Sequence, residues 1–99
     1  AYNNRGIAYA HMGRYEQSLT EYARAMAIIA PLATPTDRRL LTILLNEATA
    51  LAGLGRSTEA LEGIARIEAA GPGVPALTRE GAHLIAAEAL LRQRDAVAA

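Results

Sequence analysis

His11 and His83 are the only imidazoles in this 99-residue chain. With Glu16 or Glu88 beside them, they are the side chains best able to hold a metal ion or shuttle a proton. They lie far apart, and no His-x-x-x-His spacing places two of them on one helical face, so the pattern argues against a metal site. Gly53-Leu54-Gly55-Arg56-Ser57-Thr58 superficially resembles a phosphate loop opening a helix, where free amides attract anions. It has no lysine and no preceding strand, and it reads instead as a turn between helices. Glu59, Glu62 and Glu68 share one helix and read as a solvated face, because paired acid–base work needs a pocket. All ten basic residues are Arg, and Lys and Cys are absent. Schiff-base chemistry, a P-loop lysine, disulfides, thiolate catalysis and cysteine-bound zinc are thereby excluded. No enzyme activity and no cofactor are expected from these residues.

The elements that must position such side chains are helices. The chain is 52% hydrophobic, chiefly Ala and Leu, with no Phe or Trp. Ala and Leu are strong helix formers, and small Ala side chains let helices approach closely. Ten acidic residues balance ten basic ones, so no net field favours nucleic acid or an anionic membrane. No apolar run approaches the length of a membrane span, and no signal peptide is visible. Absent cysteine fits a reducing compartment, and a cytoplasmic location is the expectation. Arg without Lys, together with abundant Ala, is the usage of a GC-rich bacterial genome. The chain lacks an initiating Met and begins and ends within its helical pattern, so a fragment of a longer protein is expected.

Five helices and the start of a sixth follow from the spacing. The first spans about Tyr2 to Met12 and is ended by Gly13 in the left-handed conformation. The second spans Tyr15 to Ile29, with Leu19, Tyr22, Met26 and Ile29 in one stripe. Pro31 and Pro35 bracket a connection that cannot continue it. Thr36-Asp37 supplies a cap for the third helix, which should reach Ala52. Its segment Leu40 to Leu45 is apolar nearly all round and therefore belongs at the centre of the packing. Ser57 or Thr58 should cap a fourth helix running to about Ala70. Gly71-Pro72-Gly73-Val74-Pro75 breaks the chain before a fifth helix ending near Arg92, and Asp95 to Ala99 should open a sixth.

These helices repeat. Tyr9-Ala-His-Met-Gly13-Arg14-Tyr15-Glu-Gln-Ser18-Leu19-Thr-Glu-Tyr22 returns, loosely respelled, as Leu51-Ala-Gly-Leu-Gly55-Arg56-Ser57-Thr-Glu-Ala60-Leu61-Glu-Gly-Ile64. Gly13 and Gly55 are 55 − 13 = 42 residues apart, and a third turn at Arg94 would follow after 39. The unit is a helical hairpin, the sign of a stacked α-repeat. Tyr2, Gly6, Tyr9, Ser18, Tyr22 and Pro31 fill one set of large, small and terminating slots. Leu44, Ala48, Leu51, Ala60, Ile64 and Pro72 fill the second, and His83, Ala87 and Leu90 begin the third.

In these residues the chain resembles the tetratricopeptide repeat family, in a variant with a period near 40 residues, as in bacterial regulatory proteins. The resemblance implies an all-α solenoid of antiparallel helix-turn-helix repeats in a right-handed superhelix. Its units would be residues 1–31, 36–72 and, in part, 75–99. Arg5 and Glu47 stand where the family prefers Leu, at equivalent places with opposite charge. They suggest a cross-repeat ion pair, so that reversing Glu47 to Arg would lower thermal stability.

The resemblance also implies that the first helix of each repeat lines a concave groove. Its candidate residues are Asn3, Asn4, Ile7 and His11 on the first unit, Leu45, Asn46 and Thr49 on the second, and Glu88 and Arg92 on the third. Asn4 and Asn46 recur at one slot, where they could grip a peptide backbone or simply tie helices together. The groove lacks the Lys and Arg set with which some family members hold a C-terminal carboxylate. The expected partner is a protein or peptide, as a helix or an uncharged segment. Two alternatives stand beside it: a spacer that self-associates through exposed terminal repeats, and a small-molecule or peptide sensor controlling an attached output domain.

Overall fold

A computed structural model describes residues 2–98, with side chains through Arg94. Helix α1 (Tyr2–His11) pairs with α2 (Tyr15–Ile29), and α3 (Arg38–Gly53) pairs with α4 (Ser57–Ala69). A single 3-10 turn, Gly71–Gly73, leads into α5 (Ala76–Ala98). No strand occurs among the described residues, so the chain is all-α.

The repeat is visible in backbone hydrogen bonds. Arg14 N–H donates to the Tyr9 carbonyl at 2.9 Å, and Gly13 N–H donates to that of Ala10 at 3.0 Å. Forty-two residues on, Arg56 donates to Leu51 at 2.9 Å and Gly55 to Ala52 at 3.1 Å. These paired bonds close the last turn of α1 and of α3 in the same way and satisfy carbonyls that the helix end would otherwise orphan. The geometry needs a left-handed residue after the helix, and Gly13 (φ 75°) and Gly55 (φ 79°) supply it. The α3 start is fixed differently. Asp37 caps it, accepting from Arg39 N–H at 2.9 Å.

Packing follows the same repeat. Ser18 and Ala60 are both fully buried small residues at equivalent places, and Tyr22 and Ile64 are buried one turn later. Gly6 lets α1 settle onto the Tyr22 ring, since a Cβ there would lie 2.4 Å from Tyr22 Cε1. Tyr22 and Ala25 of α2 meet Ile43 and Ala50 of α3 in one cluster. Leu41, Leu44 and Ala48 of α3 join Ile64 and Ile67 of α4 and Ala82, Ile85 and Ala89 of α5 in the other. Each fully buried Ile or Leu contributes roughly 1.5–3 kcal/mol. Helix α3 touches every other helix, as its apolar circumference requires. The molecule measures 43 × 31 × 19 Å. Its least dimension is about two helix diameters of 10 Å, as in a two-layer stack.

Three expectations are corrected. No sixth helix begins at Asp95: α5 runs unbroken through Ala98, because neither Gly nor Pro interrupts Leu90 to Ala98 and the residues there form helix readily. Ala99 lies outside the described residues. Ser57 does not cap α4; it is the first helical residue, buried against the fold, and Arg56 holds the cap position without a side-chain bond. His83 does not fill a core slot but is exposed, at the edge of a hollow that it shares with Ile67, Glu68 and Val74.

Candidate binding face

Helices α1 and α3 are the first members of the two hairpins, and α3 lies between α1 and α5. Asn46 Nδ2 donates to Asn3 Oδ1 at 3.2 Å, joining α3 to α1. On the other flank Leu45 rides over Gly81 of α5, where an added Cβ would stand 3.1 Å from Leu45 Cδ2. Arg92 of α5 also donates to the Ala52 carbonyl near the end of α3.

Between these flanks α3 presents Thr49 exposed, with Thr42, Leu45 and Asn46 half-buried. Helix α1 contributes Asn4 and His11, both exposed, and a half-buried Ile7 that packs beside Tyr22. On α5, Glu88 and Arg92 are exposed and paired at 3.0 Å. Several of these groups are already engaged. Asn3 and Asn46 share one hydrogen bond that ties α1 to α3, whereas Asn4 makes no side-chain hydrogen bond among the described residues. Thr49 Oγ1 donates back to the Leu45 carbonyl at 2.9 Å.

Sequence reasoning missed the most apolar part of this face. Leu77, Gly81, Leu84, Glu88 and Leu91 follow one another at helical spacing along the side of α5 next to Leu45. Leu77 is 82% exposed, Leu84 74% and Leu91 58%. The buried side of α5, with Ala82, Ile85 and Ala89, adjoins this stripe. The seven-residue spacing of these leucines was visible in the sequence, but it falls within a helix whose apolar residues lie on two sides.

The cross-repeat ion pair between Arg5 and Glu47 does not form. Arg5 Nη2 stands 3.0 Å from Glu21 Oε2 on its own hairpin partner α2, and its guanidinium lies 4.9 Å from the Tyr2 ring centroid. The contact lacks hydrogen-bond alignment, which leaves that buried oxygen without a donor. Arg24 takes the other Glu21 oxygen at 3.1 Å. Arg5 turns to α2 because the hairpin brings Glu21 nearer than the next repeat brings Glu47. Glu47 is instead half-buried, and burial raises its carboxyl above the ordinary range, with Arg66 partly opposing this. Burial and the nearby Glu47 together raise the Tyr22 phenol.

At the N-terminal ends of α1 and α3 the face deepens into a cleft of about 340 Å³, lined by Tyr2, Asn3, Ile28, Ile29, Thr42 and Ile43, with Arg38 and Arg39 also on its wall. Among the described residues, no three His, Cys, Asp or Glu side chains gather as a metal site, and no helix is long and apolar enough to cross a membrane. Glu59, Glu62 and Glu68 are all exposed on α4.

Stacked helical hairpins with an open face along their first helices define a helical-repeat protein. The tetratricopeptide repeat model matches residues 1–62, more than half of the chain, and the chain belongs to that family. Repeats of this family generally serve as protein–protein interaction scaffolds. No curated protein and no solved structure matches the chain.

Proposed function

We infer that this chain is a binding scaffold whose α1–α3–α5 face holds a protein segment, within a larger bacterial regulatory or signalling protein of the cytoplasm. The observation that carries the reading is the exposed leucine stripe of α5 beside Leu45 and Thr49. Large apolar side chains left open in a row along one face mark an interaction surface. Their helical spacing suits an amphipathic helix laid across the face, its apolar side on the leucines. Asn4 and His11 offer hydrogen bonds at the far edge, where the partner's polar side would lie. In this reading the chain has no catalytic role.

The test is partner capture with wild type and an Asn4→Arg, Thr49→Arg variant. Both side chains are exposed, so the variant should keep its melting temperature. Loss of the captured partner supports the reading, and undiminished capture removes it.

The same leucines favour a second reading, self-association through α5. Sedimentation equilibrium separates the two: a monomer at all concentrations rules the second out.

A further inference from the structure

The cleft at the N-terminal ends of α1 and α3 has a chemistry of its own. Its floor is aliphatic, built from Ile28, Ile29 and Ala25 of α2 and Ile43 of α3, and Ile28 is 54% exposed. A volume of about 340 Å³ is at the low end of the range for ligand sites, about 300–1,000 Å³. It suits one or two anchoring side chains better than a whole enclosed molecule.

Its surroundings carry an unbalanced charge. Tyr2 on the wall lies beneath Arg5 and Arg24, whose guanidinium carbons are 4.9 and 5.9 Å from the ring centroid. Those two arginines share one carboxylate, Glu21. Arg39 is held by Asp37 at 3.0 Å. Arg38, exposed on the wall, has no carboxylate within ion-pair distance among the described residues. With Arg38 and Arg39 on the wall and Arg5 and Arg24 over Tyr2, four guanidiniums in or beside the cleft meet two carboxylates, an excess of 4 − 2 = 2 positive charges. The whole chain has no net charge, so this excess is local. Two arginines in the first turn of α3 are also unfavourably placed against the helix dipole, and an incoming carboxylate would relieve that repulsion.

We propose that this cleft is a specificity pocket for an acidic peptide segment, which inserts an aliphatic side chain between α1 and α3 and sets its neighbouring carboxylates against Arg38. The proposal rests on the scaffold reading above and adds the chemistry of one end of the partner. It departs from the expectation of an uncharged segment, because the groove's charge is concentrated outside the residues that expectation used.

The test is an NMR titration of the isotope-labelled chain with the blocked peptide Ser-Asp-Leu-Asp-Leu-Glu-Ser. Controls carry Asn and Gln for the acids, Lys for the acids, or Ser for the leucines. The proposal expects shifts at Ile28, Ile29, Thr42 and Ile43 with the acidic leucine peptide, weakened by salt and absent with all three controls. Arg38→Glu should weaken binding by about tenfold or more while leaving the melting temperature unchanged or higher. Ile28→Ser should weaken it without unfolding, since Ile28 is exposed. Equal binding of the neutral or lysine peptide, or indifference to both substitutions, overturns the proposal. Shifts confined to Ile7, Thr49 and Leu84 overturn it while leaving the scaffold reading intact. A wholly silent titration overturns the cleft, and the capture experiment then judges the scaffold reading alone.

Discussion

Asn46 and Asn3 are 43 residues apart in sequence and joined by one amide hydrogen bond of 3.2 Å, the direct polar link between the first helices of two successive repeats. The bond spends one donor and one acceptor of a candidate ligand ladder on fixing the spacing of α1 and α3. It thereby sets the width of the face above it.

A double-mutant cycle on Asn3→Ala and Asn46→Ala should show that coupling. Each single change is expected to cost about 0.5–1.5 kcal/mol in urea denaturation, and the double change clearly less than their sum. Strict additivity would mean that the two amides do not interact.

The glycines of the helices should separate by what surrounds them. At Gly6 an added methyl would lie 2.4 Å from the Tyr22 ring, so Gly6→Ala is expected to cost about 1–3 kcal/mol. At Gly63, inside α4, the nearest atom is Ala48 Cβ at 3.7 Å, an ordinary contact. Gly63→Ala should therefore stabilise the fold by about 0.5–1 kcal/mol through helix propensity. Thermal melts of the two variants should move in opposite directions.

Glu47 should destabilise the fold at neutral pH. Its folded carboxyl titrates above the unfolded value of about 4.3, so the folded state binds the proton more tightly. Its favourable contribution is complete below that value and is lost as pH rises through the raised folded one. Glu47→Gln should accordingly raise the melting temperature at pH 7, with the gain shrinking towards pH 4. Asp37 and Glu59 are shifted the other way by Arg39 and Arg56 and lose stability as pH falls. The comparison must therefore be between variant and wild type at each pH. A gain that stays constant with pH would contradict the account.

Arg38→Glu should stabilise α3 by about 0.3–1 kcal/mol, since it replaces a cation with an anion beside the positive end of the helix dipole. Urea denaturation at low salt is the check. A loss of stability would show that Arg38 is held there for folding rather than for a ligand.

What could be read from the sequence was the part governed by local rules. The bounds of α2 are those expected, because Gly13 and Pro31 punctuate both ends. The buried row of Ser18, Tyr22, Ala60 and Ile64 follows from the 42-residue echo. What escaped was set by tertiary choice. Equivalent slots on successive repeats suggested Arg5 with Glu47, yet a long side chain takes the nearest carboxylate, and the hairpin offers Glu21. Leu77, Leu84 and Leu91 were hidden because α5 is apolar on two sides, and periodicity alone does not say which side is covered. The cleft was not legible at all. It depends on how α1, α2 and α3 meet around Ile28 and Ile29, which no spacing records.

The most direct measurement of the central claim is site-specific photo-crosslinking in cells. A photoreactive residue is placed at Thr49 or Leu84 on the α1–α3–α5 face, and at Ala65 on the exposed side of α4 as control. Positions 49 and 84 should give the same heavier adduct, of this chain with another protein, and position 65 none. Adducts from position 65 alone, or equally from all three, would contradict that claim.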